Sequence, residues 1–185
     1  MNLDIGQKVS YPNHGVCAVE NLEAKQVSGK WAEFYSLRLL SNHSVIFVPK
    51  NNAEIVGIRP IIDSNQCKRV LKFLAEDFAE ILHDWKTRTR DFISKLQTGD
   101  IYETADVLKK LTFLTRFKQL SFREQRLLEK TKFLIVSELA IVYAKPEDEI
   151  EKRVNKCLEK ACEKHSVETV TVGVGSKQLA VAVSS

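Results

Sequence analysis

Glycine is scarce, with seven in 185 residues, and nowhere does it gather into the loop that cradles phosphates, so P-loop chemistry is excluded. The four cysteines, Cys17, Cys67, Cys157 and Cys162, form no CxxC pair, and none joins a histidine at metal-ligand spacing. They read as reduced structural thiols, and neither a metal nor a cofactor is expected. The four histidines stand outside any triad spacing: His14 falls in a turn between two strand candidates, where a structural hydrogen bond is its natural role. Asp84, beside Trp85, reads as a helix cap rather than a general base. No catalytic constellation remains, and no enzymatic activity is expected. No stretch approaches the roughly 18 apolar residues that span a bilayer, and Met1-Asn2-Leu3-Asp4 lacks the basic and apolar regions of a signal peptide. The expectation is a cytoplasmic chain with no membrane partner.

What is present is the composition of a folded protein, 44% hydrophobic and 28% charged. The formal charge of +4 is small but unevenly spread. Residues 1–66 balance six Lys/Arg against six Asp/Glu, whereas residues 85–132 carry twelve against six. A basic partner surface therefore belongs to the second half.

The first sixty residues alternate short β-prone runs (7–10, 16–22, 34–40, 45–48) with turn signals at Tyr11 to Gly15, Ser28-Gly29-Lys30 and Ser41-Asn42-His43. Strands of about five residues at this spacing predict a small, strongly bent antiparallel sheet of SH3-like or Tudor-like size. Gly57-Ile58-Arg59-Pro60 closes it, since proline lacks a ladder donor. From residue 64 the period becomes helical. Ser64 or Asn65, Asp84 and Asp100 are candidate caps, Gly99 a helix end, and Ser121 with Glu124 a capping box. Pro146 marks the start of a last helix to about Lys164. The fold class is α+β in two domains: a Tudor/SH3-like β-barrel over 1–62 and an all-α domain over 63–165. Residues 166–185 read as a flexible tail, with an added strand over Thr169 to Val174 as the alternative.

The most informative stretch is Trp85-Lys86-Thr87-Arg88-Thr89-Arg90, a rigid aromatic with three cations at alternate positions. At 100° per residue Trp85 is in phase with Phe92 and Leu96, so periodicity alone assigns it to a buried stripe. Lys86 and Arg90 flank that stripe on one side, Arg88 and Lys95 on the other. Cations neutralise phosphates without reading sequence, and a flat ring beside them can wedge between bases, which points to a duplex-binding surface.

Together these residues make a resemblance. Gly6-Gln7-Lys8-Val9-Ser10-Tyr11-Pro12-Asn13-His14-Gly15-Val16, Val48-Pro49 and Gly57-Ile58-Arg59 resemble the polymerase-interacting module shared by CarD-type regulators and transcription-repair coupling factors. Trp85 with its cations, Leu96-Gln97-Thr98-Gly99-Asp100, Leu120-Ser121 with Glu124, and Ser137-Glu138-Leu139-Ala140 resemble the C-terminal domain of CarD/CdnL proteins. The ordered set covers roughly residues 3–143. It implies a bacterial, non-enzymatic transcription regulator, monomeric, held to the RNA polymerase β subunit by the barrel and to promoter DNA by the helices. Trp85 would be the wedge in the minor groove that stabilises the open complex. Lys86, Arg88, Arg90, Arg126 and Lys130 would be its phosphate-contacting cations, with low sequence specificity. The edge Val45-Ile46-Phe47-Val48-Pro49, with Lys25 and Val27 beside it, would pair with a strand of the β subunit. Some members carry a cation at the positions of Phe47 and Gln125, which would alter one polymerase and one phosphate contact.

Two other classes stay open. An RNA-binding or ribosome-associated module would show exposed aromatics on the barrel and binding that survives loss of Trp85. A protein-only adaptor would bury Trp85 and leave the cations idle, with no salt dependence of DNA binding.

Overall fold

The structure, a computed structural model, describes residues 2–82 and 84–172. Five antiparallel strands form one sheet: β1 (Lys8–Tyr11), β2 (Gly15–Val27), β3 (Lys30–Leu39), β4 (Val45–Pro49) and β5 (Arg59–Pro60), in the order β4-β3-β2-β1-β5. Two strands exceed the expected length, at thirteen residues for β2 and ten for β3. The hairpin turn explains this: Ser28 and Gly29 adopt left-handed φ angles of 51° and 79°, as a two-residue turn requires, and pairing runs from Val27 opposite Lys30 back to Cys17 opposite Leu39. Backbone bonds thus extend the ribbon beyond the buried part of the sheet. An irregularity between Val19 and Asn21 supplies a bend. Arg59–Pro60, expected only to close the module, pairs with β1 as an edge strand, a place where proline is tolerated. Val9, Cys17, Tyr35 and Leu37 fill the core of the sheet, and the Leu3 N–H donates to the Tyr35 hydroxyl at 3.0 Å.

Five helices follow: α1 (Ser64–Leu74), α2 (Trp85–Gln97), α3 (Ile101–Leu114), α4 (Phe122–Tyr143) and α5 (Glu147–Val172). The cap of α1 is Asp63, not Ser64 or Asn65, because only Asp63 exchanges hydrogen bonds reciprocally with Gln66 three residues on. Asp84, Asp100 and Ser121 with Glu124 cap the next three helices as the sequence indicates. Val70, Leu74, Leu108, Ile135, Leu139 and Val154 build the helical core. Phe92 of α2 packs separately on Val107 and Leu111. The last helix passes Lys164 and continues to Val172, so residues 169–172 are helical rather than strand. The rest of the expected tail, 173–185, lies outside the described residues. No helix among the described residues is long and apolar enough to cross a membrane. The four cysteines are free, and burial pushes the Cys17 and Cys67 thiols up to about 11.

Two features join sheet to helices. Arg59 grips the buried carboxylate of Glu138 in α4 with two bonds of 2.6 and 2.9 Å and donates from Nε to the Gly99 carbonyl at 2.8 Å. Glu138 also accepts the Ile62 N–H at 3.1 Å. Alongside, Gly57 and Gly99 meet backbone to backbone, with Pro12 against both. We expect Glu138→Gln, which weakens charge-assisted bonds without emptying space, to cost about 2 kcal/mol, read as a lower urea midpoint with unchanged slope.

The connection 75–84, which delivers the chain to Trp85, is anchored from other helices. Lys109 of α3, fully buried, donates to the carbonyls of Phe73 and Asp77 at 3.0 and 3.3 Å and lies 3.7 Å from the Phe73 ring centroid. Burial lowers its basicity. From α5, Lys164 donates to the Ala75 carbonyl at 2.8 Å, and His165 meets Asp77 at 2.8 Å.

Candidate functional site

Trp85 is the first residue of α2, and Asp84 holds that turn by accepting the Thr87 N–H at 2.8 Å. The ring is 57% exposed, so the buried-stripe reading fails even though Phe92 and Leu96 are buried as its period requires. The first buried residues of the helix are Arg88 and Thr89, while Trp85 before them stays exposed.

Arg88 needs a correction. Expected beside Trp85 as a phosphate contact, it is 5% exposed, bonded to Glu124 at 2.8 Å and to the Leu82 carbonyl at 2.7 Å. It lies one helical turn before Phe92 on the same inward face, and a cation placed there requires a buried carboxylate. Glu124 supplies it while closing the capping box of α4 and receiving Lys118 at 3.0 Å. Burial alone would raise this carboxyl. Hydrogen bonds from Arg88, Ser121 and Lys118 outweigh it and hold the group at about 2, against an ordinary 4.5. The pair fastens the start of α2 to the start of α4.

With Arg88 turned inward, the cations on this surface form a different set. Lys86, Arg90 and Arg123 line a hollow with Trp85 and Ile93, and Arg123, Arg126 and Lys130 line the adjoining one with Ile93 and Phe133. Lys86 lies 5.6 Å from the Trp85 ring centroid. The surface is therefore a basic groove between α2 and α4 with an aromatic at its mouth. Burial lowers the basicity of Lys130, and its charge, second to burial, lowers that of His14. Glu129 is the carboxylate in the groove, and Gln125, at a position where some relatives carry a cation, bonds to it at 3.0 Å. Sequence reasoning missed Arg123, Ile93 and Phe133. The signal was available for Arg123, since 123, 126 and 130 recur at helical spacing on one face of α4.

The second predicted site lies on the sheet. β4 is an edge strand, paired with β3 alone, with Phe34 opposite Pro49 and Ser36 opposite Phe47. Its side chains alternate: Val48 is buried and Ile46 half-buried, while Val45 and Phe47 face solvent. Lys25 of β2 places its ammonium 3.2 Å from the Phe47 ring centroid, so a cation stands on this face although residue 47 is aromatic. Val27 is exposed at the end of the ribbon, where Trp31, unremarked in the sequence, is 74% exposed. Among the described residues no group of three or more His, Cys, Asp and Glu could hold a metal.

A bent sheet with a free edge is joined to a helical unit bearing a basic groove, and the comparisons place this architecture in a transcription-associated family. Residues 3–62 match the CarD-like/TRCF RID domain, an RNA-polymerase-interacting domain, and residues 69–155 match the CarD C-terminal domain. The chain belongs to the CarD family. It is 26% identical over 146 residues to a Bacillus subtilis (strain 168) protein described as "Putative transcription factor YdeB", covering 79% of this chain and 95% of that one. The solution structure of the 72-residue N-terminal domain of Myxococcus xanthus CarD shares 34% identity, covering 32% of this chain and 79% of that one, with a TM-score of 0.28.

Proposed function

We propose that this chain stabilises the open promoter complex of RNA polymerase, binding the β subunit through the edge of β4 and promoter DNA through the groove between α2 and α4. Trp85 acts as the wedge in the minor groove, and Lys86, Arg90, Arg126 and Lys130, joined by Arg123, neutralise the flanking phosphates. Arg88 acts one step removed, by holding the Trp85 turn on Glu124. The observation that carries this reading is the exposed Trp85 ring among cations that have no carboxylate partner among the described residues. Unstacking a base step costs a few kcal/mol in a closed duplex and less where the duplex is already melting, so a wedge favours the open state. Nothing in the groove is laid out to read base edges, so specificity is low. On this reading the chain performs no catalysis.

The test is the lifetime of open complexes formed by the cognate polymerase, alone, with the protein, and with Trp85→Ala. We expect the protein to lengthen the lifetime roughly tenfold, the equivalent of about 1.4 kcal/mol, and the variant to lose that effect with its melting temperature unchanged. A variant as effective as the parent would overturn the wedge. The adaptor reading required a buried Trp85, which the 57% exposure opposes. The RNA-binding reading draws on the exposed Phe47 and Trp31 of the sheet, and it predicts nucleic-acid affinity that survives Trp85→Ala.

A further inference from the structure

Phe122 has no role in the fold. It is the first residue of α4 and 74% exposed, and it belongs to none of the buried clusters. One helical turn on, the Arg126 guanidinium carbon lies 4.6 Å from its ring centroid. Even with that cation against it, most of the residue stays open to solvent. Arg126 lines the groove with Arg123 and Lys130, and Arg123, the neighbour of Phe122 in the chain, also lines the hollow of Trp85. Trp85 and Phe122 hold the same position, the first of their helices, and the Arg88–Glu124 pair ties those two helix starts together.

Cations of this kind select phosphate, whereas an open aromatic face selects something flat. Inside a duplex every base face is already occupied by its neighbours. At the edge of a melted region an unpaired base presents its face without further unstacking, and aromatic side chains accept any of the four bases. We propose that Phe122, backed by Arg126, is a second stacking site of this protein, one that receives an unpaired nucleobase at a duplex-to-single-strand junction. This rests on the DNA-binding reading above and adds to it a preference that the wedge alone does not supply: Trp85 parts the strands, and Phe122 holds a base that has been released.

The test titrates the full-length protein with three labelled DNAs: a blunt duplex, the same duplex with a short unpaired tail, and that tail rebuilt from abasic sugars so that its phosphates remain. We expect the tailed duplex to bind roughly tenfold tighter than its abasic counterpart. Phe122→Ala should abolish that difference while leaving blunt-duplex affinity and melting temperature unchanged, and Phe122→Trp should keep it. Trp85→Ala should weaken binding to all three. Equal affinity of the parent for the base-bearing and abasic tails, with salt-dependent binding to both, overturns the stacking site alone, as does a Phe122→Ala protein that keeps the difference. No binding to any of the three overturns the DNA reading together with it.

Discussion

Glu124→Ala is expected to lower stability by about 3–5 kcal/mol, because it strands the Arg88 cation inside the protein while Lys118 and the Ser121 N–H lose their acceptor. For a chain of this length that corresponds to a fall in melting temperature of roughly 10 °C, measured by thermal denaturation at neutral pH. Replacing both partners, Arg88→Met with Glu124→Met, should cost much less than the two single changes summed, since no charge then stays buried alone. Acid titration gives an independent reading of the same contact. The folded state holds the Glu124 carboxyl at about 2, below its ordinary 4.5, so the stabilisation is complete above pH 4.5 and disappears as pH falls towards 2. Urea midpoints of the parent and Glu124→Gln should therefore converge across that window. DNA binding by the single variants should weaken as well, because the turn that carries Trp85 loses its anchor on α4.

The next largest effect is expected of Gly99→Ala, at about 3 kcal/mol. Two penalties combine: a side chain at φ +76° costs about 1–2 kcal/mol, and a Cβ there would stand 2.6 Å from the Gly57 carbonyl oxygen and 2.9 Å from Pro12, forcing the sheet and helices apart. Gly29→Ala separates the two. Its φ is +79° with nothing within 4 Å, so it should show the conformational penalty alone, about 1 kcal/mol. Equal denaturant midpoints for the two variants would show that the joint yields freely.

The features that could be read from the sequence were those decided within a few residues. Asp84, Asp100 and the Ser121–Glu124 box announce their helices because a cap and its recipient lie within one turn. The run from Val45 to Pro49 is read as a strand from its apolar, β-branched composition, whereas its alternating exposure becomes visible only in the fold. What stayed illegible depends on distant partners. Arg88 looks like any surface cation until Glu124, thirty-six residues on, is seen against it. Trp85 has the phase of a core residue and lacks only a neighbour to cover it, which is a property of where the other helices begin. The length of the hairpin was hidden for a related reason: Glu23 to Val27 is too polar to read as strand, and its register comes from the turn at Ser28-Gly29 rather than from burial.

The joint of Gly57, Gly99, Arg59 and Glu138 has a consequence for how a promoter is addressed. It fastens the sheet directly to the end of α2 and to α4, through Arg59, Gly57 and Pro12 on one side and Gly99 and Glu138 on the other. On the proposed reading, a chain anchored to polymerase through the β4 edge would act as a calliper, presenting Trp85 at one distance from the enzyme whatever letters stand there. Such a protein gauges position instead of spelling, and promoters would differ in their response through how readily they melt at that one distance.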